Sequence, residues 1–218
     1  MVESGIYYDF YEPTITRFFK KFLRPGDVVL DVGANVGYYS LLSSRIVGDK
    51  GSVYSFEPMT SANKRMQINL LLNNFKNINL EKLGVSDKPG TQKFYFQNQY
   101  SMFKSAKGPS EEKVKFVTLD EYVKKNKIKN VRLIKTDTDG FDAKVLLGAR
   151  EVIKKFHPYV IAEIGADEEG LKDYVDFIFS LKGYSVCSDK GVFYKNKNIL
   201  FSEIAVRGII NVVLIPKK

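Results

Sequence analysis

The sequence is short of the residues that staple or metallate a fold. It has one cysteine, Cys187, and one histidine, His157. A single cysteine excludes an intrachain disulfide and any zinc site built on several cysteines. No apolar run approaches the roughly 20 residues of a membrane span. The opening residues, MVESGIYYDF, carry neither a basic leader nor an apolar signal core, so a cytoplasmic protein is expected.

What is present suits a folded domain. Of the 218 residues, 44% are hydrophobic and 27% charged, the balance of a water-soluble chain with ample material for a core. The net charge of +9 fits a polyanionic partner or simply a lysine-rich solvated face. The lysines are dispersed, and the densest stretch, Lys113 to Lys135, has no arginine–aromatic interleaving, so nucleic acid is not the expected partner.

Strand and helix patterns alternate. Ile15, Phe18, Phe19, Phe22 and Leu23 form one helical stripe that RPGD ends. VVLDV is a continuous apolar run of the kind a strand buried on both faces shows. Helical character over 36–47 leads through GDKG to a second strand, SVYSFEP. Ala62, Met66 and Leu70 share a helical face, and NINLEKLGVSD reads as a third strand and a loop. QKFYFQ and VKFVTL read as a strand pair enclosing a mobile, substrate-side loop, with the whole insertion spanning about 91–117. LDEYVKKNK is a short helix and VRLIKTDTDG a fourth strand. One helix is expected to carry Phe141, Val145, Ala149 and Ile153. PYVIAEIG is a fifth strand, a striped helix follows over 171–181, and the end reads as a closing strand pair. This order predicts a single α/β domain over 1–218, with a doubly wound, mostly parallel sheet and an N-terminal helical extension over about 1–25.

In such sheets ligands bind beyond the carboxyl ends of the strands, which makes the strand ends worth reading together. The first ends in LDVGANVGYYS, where Asp31 precedes a glycine turn. Gly33 permits a tight turn and close backbone approach, and Gly37 lets the next helix pack near a ligand. Asn35 takes the place of a central glycine, and asparagine enters the left-handed region more readily than most residues. Glu57 ends the second strand about 20 residues past the turn, where a carboxylate bonds ribose hydroxyls. Pro58 biases Glu57 toward extended backbone. After the third strand, Val85 is placed to pack on an adenine ring, and Ser86 or Asp87 to bond its exocyclic amine. The fourth strand brings Lys135, Asp137 and Asp139 to one face, suited to a positive centre, a general base or a metal. Helix capping by Asp139 is the structural alternative. Glu163 arrives at the same edge from the fifth strand, whereas His157 lies at the far end of that strand and reads as structural.

DVGANVGYYS, VYSFEP, GVSD, VTLDEYV and LIKTDTDGFDAKVLLGAREVIKKFHPYVIAEI occur in the order and spacing of FkbM-type S-adenosylmethionine-dependent methyltransferases, which the chain resembles from about Glu12 to Glu163. The resemblance implies a seven-stranded, Rossmann-like class I methyltransferase sheet with its last strand antiparallel. It implies S-adenosylmethionine as cofactor and S-adenosylhomocysteine as product. Asp31, Gly33, Asn35 and Gly37 would hold the methionine part, Glu57 the ribose, Val85 and Ser86 the adenine, and Asp137 would lie near the methyl group. One departure is plain: Thr138 and Asp139 stand where the family has a hydrophobic residue and a glutamate.

Methyl transfer from a sulfonium is an in-line displacement, governed by alignment of nucleophile, methyl and sulfur. A positioned base raises the reactivity of an alcohol. Asp137 is the first candidate base and Glu163 the second, with Lys135 as an orienting donor. Tyr7, Tyr8, Tyr11 and the loop from Tyr100 to Phe103 are candidate pocket walls, or packing. The expected reaction is O-methylation of a sugar, glycan or small natural product. No metal ligand set is assigned, although a metal-assisted enzyme using Asp137 with Glu163 or Asp167 is an alternative. A nucleic-acid methyltransferase would suit the positive charge, but the chain lacks the Asn/Asp-Pro-Pro-aromatic motif, and Cys187 lies outside any Pro-Cys context. A non-catalytic binding protein and a dinucleotide oxidoreductase are the remaining alternatives.

Overall fold

The structure is a computed structural model that describes residues 11–98, 101–103 and 110–217. The first half comprises α1 (Pro13–Phe22), β1 (Val28–Val32), α2 (Tyr38–Val47), β2 (Ser52–Phe56), α3 (Thr60–Asn73) and β3 (Ile78–Glu81). Next come β4 (Gly84–Val85), β5 (Gly90–Asn98), β6 (Ser101–Phe103), β7 (Ser110–Val117) and α4 (Leu119–Lys125). The last part holds β8 (Val131–Thr136), α5 (Asp142–Leu147), α6 (Arg150–Phe156), β9 (Tyr159–Gly165), α7 (Leu171–Ser180), β10 (Tyr184–Ser188), α8 (Lys197–Arg207) and β11 (Ile209–Pro216).

Seven strands form the main sheet in the order β10-β11-β9-β8-β1-β2-β3. The pairs among β3, β2, β1, β8 and β9 are parallel, and β11 runs antiparallel to both β9 and β10. The last strand is thus the one reversed, as expected. Because side chains alternate along a strand, adjacent apolar residues feed opposite faces. Leu30, Ile134, Val160 and Val212 join one core, while Val29, Leu133, Ile161 and Val213 join the other. Burying both faces explains why these strands read as unbroken apolar runs. No helix among the described residues is long and apolar enough to cross a membrane.

The predicted stripe of α1 docks on the second core through Ile15, Phe19 and Leu23. Phe19 is fully buried and stacks on Tyr39 of α2 with ring centroids 4.7 Å apart. The helix ends at Phe22, and Leu23 is its C-cap, just ahead of the Arg24–Pro25 bond that disfavours further helix.

Four expectations need correction. The loop read after the third strand is partly strand: β3 stays in the main sheet, while Gly84–Val85 form β4 in a second sheet of order β4-β7-β5-β6. The expected strand pair QKFYFQ and VKFVTL is present within β5 and β7, which pair antiparallel, but the stretch read as a mobile loop between them includes β6 and the start of β7. The single helix after the fourth strand is two, interrupted at Gly148. A Cβ there would stand 2.2 Å from the Ser86 carbonyl oxygen, and the Gly148 carbonyl accepts from Asp120 N–H at 3.0 Å. The Asp120 carboxylate then accepts from the N–H groups of Glu151 and Val152, so the cap of α6 comes from another helix. Finally, α8 lies inside the closing strand pair; its signals are the Asn196 cap, which accepts from Ile199 N–H at 3.2 Å, and Gly208 beyond its end.

Since Phe19 anchors α1 to the sheet through a fully buried ring, Phe19→Ala should cost about 3–5 kcal/mol in urea unfolding. A loss below about 1 kcal/mol would mean that α1 contributes little to the fold.

Candidate functional site

The turn after β1 is built around a backbone clash that only glycine avoids. Gly33 has φ +74°, and a Cβ on it would lie 1.8 Å from the Asp137 carbonyl oxygen. The N–H groups of Gly33 and Ala34 bond the Phe56 carbonyl at 3.0 and 3.1 Å, and Asp137 N–H bonds the Val32 carbonyl at 3.1 Å. Three strand ends are thereby knotted together. Asn35 has φ +50°, the left-handed conformation its residue type suggested.

Glu57 is held at the tip of β2. Its Oε2 accepts from Asn35 N–H at 2.9 Å and its Oε1 from Met59 N–H at 2.8 Å. Asn63 Nδ2 donates to the Glu57 carbonyl at 3.0 Å. Burial pushes the carboxyl up to about 7, and the two N–H bonds only partly oppose this. Each carboxylate oxygen still has a lone pair to offer.

A cavity of about 280 Å³ opens over this turn. Gly33, Asn35, Glu57, Pro58, Val85, Lys135 and Asp137 line it, all among the expected residues, and Tyr11 lines it too. Tyr38, Tyr39, Phe94, Phe116 and Phe141 complete much of the wall and were not anticipated. Asp31, Gly37 and Ser86 lie behind it. The Asp31 carboxyl is fully buried, with Oδ2 accepting from Ser40 Oγ at 2.5 Å and Oδ1 without a partner. Its burial favours the protonated form, against the pull of Lys135. Gly37 begins α2 and leaves room for Met66, whose Cγ would be 2.9 Å from an added Cβ. Ser86 donates its N–H to the Val117 carbonyl at 3.0 Å and packs against Gly148. Tyr7, Tyr8 and Tyr100 lie outside the described residues, as do the side chains of Met102 and Phe103.

Lys135 is buried in the cavity floor, with Nζ 3.0 Å from Asp137 Oδ2 and 5.0 Å from the Tyr39 ring centroid. Burial alone would strip its proton, but Asp137 and Asp31 outweigh that and raise its pKa above the ordinary lysine value. It is therefore a permanent cation. Tyr39 donates to Glu12 Oε2 at 2.6 Å, tying the entry to α1 onto the same wall. Burial pushes the Tyr11 hydroxyl up to about 12.

A second cavity, of about 470 Å³, adjoins the first and shares Phe94, Asp139 and Phe141 with it. Glu163 lines this side. Burial, then the charges of Asp137, Asp142 and Glu12, push its carboxyl up to about 7. Asp139, at φ +49°, does not cap α5, which begins after Phe141 without a side-chain cap. Asp142 takes the local structural role: it accepts from Thr136 Oγ1, Thr138 N–H and Thr138 Oγ1 at 2.6–3.0 Å. Burial pushes it up to about 7 as well. Sequence spacing had left Asp142 unused, and its only signal was the threonine–aspartate alternation before it. His157 ends α6 in the left-handed conformation and stacks on Tyr184, a structural position as expected. Among the described residues, no group of three or more His, Cys, Asp or Glu is arranged to hold a metal ion.

The strand order, the reversed last strand and the cavity at the carboxyl ends define a class I methyltransferase. Residues 31–186 match the methyltransferase FkbM domain, and the chain belongs to that family of S-adenosylmethionine-dependent methyltransferases. No curated protein matches its sequence. Among solved structures, it resembles methyltransferase FkbM from Methylobacillus flagellatus, at TM-score 0.58 and 16% identity, over 92% of this chain and 50% of that one. An rRNA methylase from Streptococcus thermophilus aligns at TM-score 0.55 and 15% identity, over 94% and 95% of the two chains. A protein from Streptococcus mutans, described as a methyltransferase and solved in complex with S-adenosylhomocysteine, aligns at TM-score 0.57 and 12% identity, over 93% and 96%.

Glu57, Asp142 and Glu163 all have folded-state values near 7, above their ordinary values of 4.5, 3.8 and 4.5. Raised carboxyls bind protons in the folded state that the unfolded chain has released. Stability of the ligand-free protein should therefore decline as pH rises from about 4.5 to about 7 and then level. Urea midpoints across that range should show the decline, and Glu163→Gln should reduce it. A flat profile would contradict the burial of these groups as charged species.

Proposed function

We propose that the enzyme methylates a hydroxyl of a sugar or another small polyhydroxylated compound. The observation that carries this reading is Glu163: a carboxyl near 7 that lines a second cavity directly beside the first. We read the chain as one methyltransferase domain with α1 as an N-terminal extension. Its single cysteine, buried in the sheet, suits a reducing, cytoplasmic setting.

The residues of the first cavity fit S-adenosylmethionine. Glu57 keeps a free lone pair on each oxygen to accept from ribose hydroxyls, in a wall that presents the backbone of Gly33 and Asn35. Val85, with Phe116 in the same wall, offers an apolar surface for the adenine. Asp31, buried behind the turn with Oδ1 unpartnered, would act on the methionine part only through the wall. When bound, the cofactor supplies an electrophilic methyl group on a positively charged sulfur.

The chain's own residues divide the remaining work. Lys135 fixes Asp137 through a 3.0 Å ion pair, so Asp137 serves alignment and charge balance near the methyl group rather than proton removal. Among the described residues Glu163 has no such cation bonded to it, and near pH 7 it can take the acceptor's hydroxyl proton. This reverses the order of the two base candidates drawn from sequence. The carboxylates around the second cavity oppose a phosphate-rich acceptor, which weighs against nucleic acid despite the overall positive charge.

Two outcomes test the reading. Glu57→Ala should weaken S-adenosylhomocysteine binding at least about tenfold in calorimetry, the scale of one lost charged hydrogen bond. Unchanged affinity would remove Glu57 from the ribose site. For an acceptor found by tritiated-methyl screening, wild-type transfer should rise with pH through about 7, and Glu163→Gln should lose about a hundredfold or more in kcat. A Gln variant with full activity would overturn the base assignment.

A further inference from the structure

Three tyrosines stand together in the wall of the first cavity: Tyr11, from the segment leading into α1, and Tyr38 and Tyr39, from the first turn of α2. Their rings meet at steep angles, with centroids 5.0 Å apart for Tyr11–Tyr38 and 6.1 Å for Tyr11–Tyr39. Two of the three are fully engaged by the protein. The Tyr39 ring meets Phe19 at 4.7 Å and Lys135 Nζ at 5.0 Å, and its hydroxyl donates to Glu12. The Tyr38 hydroxyl bonds Thr16 Oγ1 at 3.1 Å. Tyr11 differs. Among the described residues no ring stacks on it, no cation lies over it and its hydroxyl has no partner. Its placement is nonetheless built. The buried Thr16 donates through Oγ1 to the Tyr11 carbonyl at 3.0 Å. Glu12, next in the chain, has φ +40°, a conformation a non-glycine residue keeps only where its surroundings hold it, and here Tyr39 does. The surrounding charge is negative on balance. Glu12, Asp137 and Glu163 act on the Tyr11 hydroxyl against the single cation Lys135. This end of the cavity therefore favours a positive charge and keeps one aromatic ring uncommitted beside it.

We infer that Tyr11 is a donor-specificity residue, whose ring raises the affinity for the charged sulfur of S-adenosylmethionine relative to the neutral sulfur of S-adenosylhomocysteine. This rests on reading the first cavity as the donor site with the methyl group near Asp137. The two ligands differ by one methyl group and one positive charge, so contacts with the shared adenosine and amino-acid parts cannot separate them. The quadrupole of an aromatic ring can, because its attraction for the sulfur ends when transfer leaves a neutral thioether. Product is then held by one contact fewer than donor, which favours exchange of the spent cofactor. The N-terminal extension thereby takes part in donor selection through the residue that precedes Glu12.

Calorimetry with each ligand separately tests this on the intact chain, without any acceptor. The quantity read is the ratio of the two affinities, S-adenosylmethionine over S-adenosylhomocysteine. Tyr11→Leu keeps apolar bulk but loses the ring, and should lower that ratio at least about threefold. The drop should come from weaker S-adenosylmethionine binding, with S-adenosylhomocysteine nearly unchanged. Tyr11→Phe keeps the ring without the hydroxyl and should retain most of the ratio. Near-ultraviolet circular dichroism checks that both variants are folded. A ratio that moves less than threefold in Tyr11→Leu would overturn the proposal. Loss of both ligands in that variant would also overturn it, since Tyr11 would then be holding only the shape of the cavity. An equal fall in Tyr11→Phe would do the same, by assigning the effect to the hydroxyl. Each of these outcomes sinks this proposal alone. A wild type that binds neither ligand would sink the donor-site reading together with it.

Discussion

The buried ammonium of Lys135 is the constraint on which the site depends. It arrives on a central strand, is almost fully enclosed, and is balanced by Asp137 at 3.0 Å with Asp31 behind it. A charge in such a place is tolerable only when paired. The pairing in turn fixes the Asp137 side chain, and the Asp137 backbone is fixed separately by the glycine at position 33. Side-chain electrostatics and backbone sterics therefore position the same residue at the carboxyl edge of the sheet. Tyr39 joins this arrangement by standing under the ammonium and bonding Glu12, so that α1 is coupled to the site it borders.

Around this fixed pair, burial sorts the other carboxyls into distinct roles. Glu57 meets backbone N–H groups, which hold its geometry while its wall stays open to the first cavity. Asp142 is consumed in bracing the turn into α5. Among the described residues Glu163 has neither N–H groups nor a bonded cation, and nearby negative charge pushes it in the same direction as burial. Residues of one chemical type thus acquire separate functions from their surroundings.

Much of the fold was legible because both faces of the main sheet are buried and the strands advertise it as apolar runs. The glycine turn, Glu57, Lys135, Asp137 and Glu163 were legible because strand ends in an open α/β sheet converge on one edge. What escaped the sequence was non-local. Gly148 breaks a helix because the Ser86 carbonyl presses against it, a contact between segments some sixty residues apart in chain order. Gly37 and Asp31 hold the expected stretch of chain yet sit behind the cavity wall, since a motif fixes backbone position better than side-chain direction. In the second sheet the β5–β7 pair was legible, whereas β4 and β6 were hidden by the polar, turn-rich composition around them, and α8 by the weak amphipathicity of a helix that buries only Leu200 and Ile204. The preference for Glu163 over Asp137 as base needed the ion pair of Lys135, whose partner spacing alone does not reveal.

The central claim is that folding holds the Glu163 carboxyl near neutrality beside the methyl-donor cavity. Carbon-13 NMR titration of the glutamate side-chain carboxyls, with Glu163→Gln to assign the resonance, measures this without any acceptor. The account predicts a midpoint near 7 for Glu163, far above the ordinary glutamate value of 4.5. A midpoint in the ordinary carboxylate range would contradict it, because Glu163 would then be a solvated surface group unfit to take a hydroxyl proton.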